Sequence, residues 1–378
     1  MNKKILLVLC AILLVVACTE TPQQVSQSLR PIKLGVIAPM SGSNAWIGQA
    51  FVPSVQMVVN QTNAAGGING RQVEIVLEDA DTPPKASTAA SKLINQDGVA
   101  AMYAITTPVV AGSSSVADQA KKVLFGFTAV NSFAKKGTYV FTDLRNVETE
   151  CSLIGETALK NKDFKLAFVG NDADFTPVCF ENLKKALGKD GEVIANEMLP
   201  ANSPDARTML TKISDVHPDG LVLLCWPQDC NLIYRQMIEL NVLPRLYLPI
   251  ALPLPASKLA TQNIDKAKVF NNAFGTDSIL DPEHPTSGLA RFIADYESFV
   301  GKKDNVPYHD AAVVADNTAM LLGALKKCPD LASDCIRDRL SETEYENYAT
   351  HVSYQGKHYA TRESRVIKYA DGKWVSVV

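Results

Sequence analysis

Two doubly wound α/β lobes are the fold that this sequence predicts, and three observations carry the expectation. Short apolar runs alternate with helix-patterned stretches from Ile32 onward. The alternation starts afresh near Ser152. Removing an N-terminal leader leaves 378 − 17 = 361 residues, which suits two domains of roughly 100–200 residues each. Alternating strands and helices make parallel sheets, because each crossover helix lies back on the sheet it leaves.

The leader opens with Lys3 and Lys4, and an unbroken apolar run follows from Ile5 to Ala17. Such a run suits the core of a signal peptide and is too short to span a bilayer. It ends in Val15-Val16-Ala17-Cys18, which resembles the lipobox of bacterial lipoproteins. Residues 1–17 are therefore expected to be removed, with lipidated Cys18 as the new first residue. One acyl chain holds weakly and several hold firmly, so the multiple chains of such lipoproteins would form a stable membrane anchor. Residues 18–30 are polar and aperiodic and read as a flexible tether.

The ordered pattern begins with a buried parallel strand at Ile32 to Ala38. A helix from about Trp46 to Asn63 stops at Gly66-Gly67, the expected stop chemistry. Strands are expected at Val73–Leu77, Val99–Ile105, Val123–Ala129 and Tyr139–Thr142. Helices are expected at Lys85–Gln96, with Ala89, Leu93 and Ile94 on one face, and at Val109–Lys121. The second series has helices at Ser152–Lys160, Val178–Leu187, Asp205–Ser214 and Leu232–Asn241. Its strands are Lys165–Val169, Val193–Met198, Gly220–Leu224 and Leu246–Leu248. Two later helices, Leu289–Phe299 and Ala311–Lys326, precede a hairpin of Arg365–Tyr369 and Trp374–Val377 around Asp371-Gly372.

Cysteine usage agrees with export. Cys10 leaves with the leader and Cys18 carries lipid, so six remain: Cys151, Cys179, Cys225, Cys230, Cys328 and Cys335. An even set in an oxidising compartment points to disulfides, with fifteen pairings open. Short local loops favour Cys328–Cys335 and Cys225–Cys230, which leaves Cys151–Cys179. There is no Cys-x2-Cys pair beside a histidine cluster, so no metal is expected.

Catalysis has little support. There is no nucleophile elbow, no His-Glu-x-x-His and no P-loop. His217, His284, His309, His351 and His358 are scattered, and no carboxylate spacing nominates an acid–base pair. No enzyme activity and no cofactor are expected. The net charge of −3 does not indicate a nucleic-acid partner.

Binding is better supported. In α/β sheets, ligands collect at the carboxyl ends of strands, where helix N-termini present unpaired N–H groups suited to anions. The loops there are Met40-Ser41-Gly42-Ser43, Thr106-Thr107-Pro108 and Thr128-Ala129-Val130-Asn131, all small or hydroxyl-rich.

The run IKLGVIAPMSGSNAWIGQAF, then Asn63-Ala-Ala-Gly-Gly-Ile-Asn-Gly70, Val76-Leu77-Glu78-Asp79 and Pro84 to Ile94, resembles the leucine/isoleucine/valine-binding family of periplasmic solute-binding proteins. The resemblance implies the type I fold, in which the chain crosses three times between lobes. Lobe one is then 31–145 plus 275–341, and lobe two is 146–274 plus 342–378. It also implies ligand positions. Thr106 and Thr107 match the carboxylate-binding loop, and Ala129 and Asn131 the next loop. Phe175 and Trp226 match aromatic positions of lobe two that cover the ligand, and Trp46 lies beside the first-loop position.

One departure bears on the ligand. Amino-acid-binding members carry an acid in the loop corresponding to Leu248–Leu252, to neutralise the ligand's ammonium. This chain has Pro249-Ile250-Ala251 there. Glu148, Glu150, Asp174 and Asp229 are the candidate substitutes, and without one a buried ammonium would be costly. The expected function is the solute-binding component of an ABC importer, working with a membrane permease. Its expected ligand is a small carboxylate such as a branched-chain amino acid. A sensor for a membrane signalling partner, or a binder of another organic acid or amide, is the alternative. Replacing Cys18 by Ser is expected to release the protein from the membrane and abolish its labelling by a palmitate analogue. Continued labelling would overturn the lipidation assignment.

Overall fold

The inner strands are apolar on both faces, and the structure buries both. In the computed structural model, residues 30–377 are described, apart from 43, 145, 172, 174, 201–202, 252–254, 279–285, 303–305 and 363. The leader, Cys18 and nearly all of the tether lie outside the described residues. Residues from Pro31 onward form one contact unit.

The first series runs β1 (Ile32–Ala38), α1 (Ala45–Ala64), β2 (Val73–Asp79), α2 (Pro83–Lys92), β3 (Ala101–Ile105), α3 (Thr107–Gln119), β4 (Leu124–Phe127), α4 (Ser132–Lys136) and β5 (Val140–Leu144). The second begins with α5 (Val147–Lys160), β6 (Lys165–Asn171), α6 (Phe175–Leu187), β7 (Glu192–Leu199) and α7 (Arg207–Asp215). It continues with β8 (Gly220–Leu224), α8 (Pro227–Leu240), β9 (Arg245–Leu248), α9 (Lys266–Val269) and β10 (Phe274–Ser278). Then come α10 (Ser287–Val300), α11 (Tyr308–Lys327), α12 (Ser333–Ser341) and the short strands β11 (Glu344–Tyr345), β12 (Val352–Ser353) and β13 (Tyr359–Thr361). The hairpin β14 (Ser364–Ala370) and β15 (Lys373–Ser376) ends the fold.

Two sheets result. The first has the order β13-β5-β4-β3-β1-β2 and is parallel throughout. The second has the order β15-β14-β10-β9-β8-β6-β7, parallel except where β14 meets β10 and β15. Successive residues of one strand feed separate cores, as the period of two requires. Ala101, Tyr103 and Ile105 of β3 face the core with α1 and α11, while Met102 and Ala104 face that with α2 and α3. Val222 and Leu224 of β8 face α5 and α6, while Leu221 and Leu223 face α7 and α8.

The segment Asn63 to Gly70 is a splice between helix and strand. Asn63 donates from Nδ2 to the Val73 carbonyl at 2.9 Å and accepts the Val73 N–H at 2.8 Å. Gly67 has φ +76°, and a Cβ there would stand 2.1 Å from the Arg71 carbonyl oxygen. Only glycine fits both conditions.

The expected exchange points near 275 and 342 are displaced. Phe274 to Ser278 belong to the second sheet, paired antiparallel with Lys368 to Ser364 and parallel with Tyr247 and Leu248. Tyr359 to Thr361 belong to the first sheet, opposite Thr142 to Leu144. Each segment is short and lacks an alternating apolar signature. Partners far along the chain define them, so local pattern could not assign them. The third crossing therefore lies between Thr361 and Ser364, and the second falls outside the described residues.

At the first and third crossings, Arg362 Nη2 meets Asp143 Oδ2 at 2.6 Å, with side chains 1% and 0% exposed. Arg362 Nη1 donates to the Thr350 carbonyl at 2.7 Å, and Asn317 Nδ2 donates to the Asp143 carbonyl at 3.2 Å. Beside them, Asp316 accepts the N–H groups of Tyr348 and Ala349. Burial pushes its carboxyl up to about 6.

The favoured cysteine pairs form: Cys151–Cys179, Cys225–Cys230 and Cys328–Cys335. No described helix is long and apolar enough to cross a membrane. Replacing Arg362 by Met should cost about 3–5 kcal/mol in urea unfolding, because Asp143 is left buried without its counter-charge. Adding Asp143→Leu should recover most of that loss.

Candidate functional site

The carboxyl ends of adjacent strands supply the positions expected to bind ligand. β1, β3 and β4 neighbour one another in the first sheet, as do β6 and β8 in the second. Trp46 opens α1 after β1, Thr106 and Thr107 follow β3, and Ala129 and Asn131 follow β4. Phe175 opens α6 after β6, and Trp226 follows β8.

The structure brings the three aromatic residues together. The rings of Trp46 and Trp226 meet edge-on with centroids 6.4 Å apart, although they come from different sheets. Phe175 meets Trp226 edge-on at 5.3 Å. Trp46 and Trp226 are half-buried, and Phe175 is buried. Trp226 thus stands between one aromatic from its own half and one from the other.

The hydroxyl and amide residues divide into two groups. Thr106 is half-buried and holds φ +90°, a conformation rare for a branched residue and one that stores strain. Its N–H donates to the Phe127 carbonyl at 3.1 Å, which fixes the start of α3. Thr107, Ala129 and Asn131 are buried instead. The Thr107 hydroxyl lies 2.9 Å from that of Thr128, which accepts the Val130 N–H at 3.1 Å. The amide oxygen of Asn131 accepts the Thr142 hydroxyl at 3.2 Å. Ala129 accepts the Val147 N–H at 3.3 Å. These three positions brace the loops.

The first loop is shaped by Asp79, whose Oδ1 accepts the N–H groups of Met40 at 2.7 Å and Ser41 at 3.3 Å. The Ser41 hydroxyl, followed by the Met40 N–H, holds its carboxyl below the usual range. A Cβ on Gly48 would stand 2.2 Å from the Pro39 carbonyl oxygen, so glycine lets α1 approach this loop. The first turns of α1, α3 and α6 contain no acidic residue. Their positive end-fields therefore meet no carboxylate of their own first turn.

The candidate substitutes for the missing acid are engaged where they are described. Glu148 pairs with Lys135 at 3.5 Å. Glu150 is fully buried and accepts Ile250 N–H at 2.9 Å, the Thr276 hydroxyl at 3.0 Å and the Ser364 hydroxyl at 3.0 Å. Asp229 accepts Asn171 Nδ2 at 2.7 Å. Asp174 lies outside the described residues.

Asn171 was not nominated by the sequence. It is fully buried at the end of β6, and its Oδ1 accepts the Trp226 N–H at 2.6 Å. It therefore ties Trp226 to Asp229, one turn apart on the same loop and helix. The available signal was an amide closing the apolar run KLAFVG. A strand that ends in a buried amide needs a partner, and the next strand end supplies one.

A family model described as "Periplasmic binding protein" matches residues 31–373. The chain is 24% identical over 230 residues to Leu/Ile/Val-binding protein homolog 8 of Brucella abortus (strain 2308), covering 57% of each chain. It thus spans little more than half the length of that relative. Its fold is similar to that of the branched-chain amino acid transporter substrate binding protein LivJ from Streptococcus pneumoniae, solved in complex with isoleucine. That match has a TM-score of 0.77 and 20% identity, covering 92% of this chain and 99% of the other. A solute binding protein of an ABC transporter from Rhodopseudomonas palustris BisB5, in complex with 3,4-dihydroxy benzoic acid, gives a TM-score of 0.78 at 18% identity. There the match covers 92% of this chain and 96% of the other.

Replacing Asn171 by Ala removes the acceptor of the Trp226 backbone N–H and one donor to Asp229. Thermal unfolding should register a loss of about 1–3 kcal/mol. A smaller effect would mean that water replaces the amide.

Proposed function

The chain belongs to the periplasmic binding protein family, and on that premise we propose that it is the extracytoplasmic solute receptor of an ABC importer, closing two lobes on a small aromatic carboxylate. The observation that carries the ligand class is the ring cluster of Trp46, Phe175 and Trp226, drawn from both halves. Aromatic edges and faces suit a planar apolar ring, and each such pair adds about 0.5–1.5 kcal/mol beyond area burial.

The charge pattern supports the same class. Helix N-termini without acidic first turns attract an anion. An ammonium would find Glu148, Glu150 and Asp229 already engaged. A ligand with a carboxylate and no amino group avoids that desolvation cost. The dihydroxybenzoic acid held by the Rhodopseudomonas protein is of this class. A branched-chain amino acid is the second reading, favoured by the name of the Brucella relative and by the isoleucine in the Streptococcus protein.

The two-sheet architecture supports receptor action. Ligand capture draws the sheet ends together about the crossings, and the closed form docks on a membrane permease. Lipid on Cys18 would keep the receptor near that permease and raise its effective concentration. The residues assigned to the ligand are Trp46, Thr106, Phe175 and Trp226, with Thr107, Ala129 and Asn131 supporting the loops.

Calorimetry should give binding heat for benzoate and 4-hydroxybenzoate, with leucine and isoleucine at least tenfold weaker and benzamide silent. Trp226→Ala should weaken benzoate by roughly three- to tenfold. Leucine binding tighter than benzoate would replace the aromatic reading by the amino-acid one. Heat from benzamide or sugars alone would reject a carboxylate ligand.

A further inference from the structure

Two of the three disulfides occupy matching places around the aromatic cluster. Cys179 lies four residues after Phe175 on α6, one helical turn along, and is joined to Cys151 of α5. Cys230 lies four residues after Trp226, in the first turns of α8, and is joined to Cys225 at the end of β8. Each helix that presents a second-half aromatic at its start is thus fixed one turn later by a covalent bond. All four sulfurs belong to fully buried residues. The third disulfide, Cys328–Cys335, joins the end of α11 to α12 in the first half.

Chain entropy does not account for the shorter link. A cross-link stabilises a fold more when it closes a longer loop. Cys225–Cys230 spans a separation of only 5, against 28 for Cys151–Cys179. The shorter link encloses Trp226 itself, together with Asp229, the partner of Asn171. Its main effect is local: it limits where the indole can stand. A side chain already held in its bound position loses less freedom when ligand arrives.

We propose that Cys151–Cys179 and Cys225–Cys230 are positioning elements of the ligand site, holding Phe175 and Trp226 in place before ligand binds. The inference rests on the aromatic reading of the site. Trp46, on the other half, is held without a disulfide, by the close packing of α1 at Gly48. One wall of the cleft is therefore covalently fixed and the other is held by packing.

The test compares three full-length double variants: Cys225→Ala with Cys230→Ala, Cys151→Ala with Cys179→Ala, and Cys328→Ala with Cys335→Ala. The chain contains three tryptophans, Trp46, Trp226 and Trp374, so nitrogen-15 labelling gives three indole resonances, assigned by Trp→Phe substitution. The first variant should shift or broaden the Trp226 indole in the ligand-free protein and raise the Kd for benzoate by roughly three- to tenfold. The second should raise the Kd similarly, and the third should change neither. Folded first and second variants with an unchanged Trp226 resonance and an unchanged Kd would overturn the proposal. So would failure of both to fold, since the links would then hold the fold as a whole. Should the unmodified protein bind no aromatic acid, the ligand reading fails, and the indole comparison alone decides the positioning role.

Discussion

A carboxylate and a guanidinium meet at 2.6 Å where the first and third crossings leave the first sheet, and both side chains are buried. Such a pair is costly to bury and much costlier to break. Asp143 is the penultimate residue of β5, Arg362 follows β13, and these two strands are themselves paired. A second buried carboxylate, Glu150, gathers the loop after β9, the strand β10 and the start of β14 through Ile250, Thr276 and Ser364. The crossings are therefore joined by directional, charge-assisted bonds. That specifies how the two sheets leave the hinge, and everything at the cleft inherits it.

The site follows from that geometry. Each sheet delivers strand ends and helix starts to a common edge, so short loops set the chemistry. The first half contributes hydroxyl-bearing loops and helix N-termini without acidic first turns, and the second contributes two aromatics braced by Asn171 and by sulfur. On the proposed reading, a fixed indole would select shape at little ordering cost.

Much of the fold was legible because its signals are local. The helix stop at Gly66-Gly67, the runs of β1 and β8, and the hairpin at Asp371-Gly372 all lie close to their expected bounds. β10 and β13 escaped because a short polar strand is defined by its partners, and those lie up to about two hundred residues away. The aromatic residues that meet in space were singled out through the family resemblance. The supporting roles of Thr107 and Asn131 were not, since a hydroxyl in a loop looks the same in sequence whether it faces ligand or a neighbouring hydroxyl. Asn171 was hidden for the same reason, with its partners 55 and 58 residues away.

The sequence by itself determined the order of strands and helices, the apolar faces that make two parallel sheets, the leader expected to direct export, and the short cysteine spacings that favour local pairing. Periodicity, turn chemistry and spacing act over a few residues, so they can be read along the chain. The tertiary structure alone decided which half owns β10 and β13, which acids are already satisfied, and that Trp46 of the first half meets Trp226 of the second. Those outcomes depend on contacts between distant segments, and only the closed-up fold brings such segments within reach of one another.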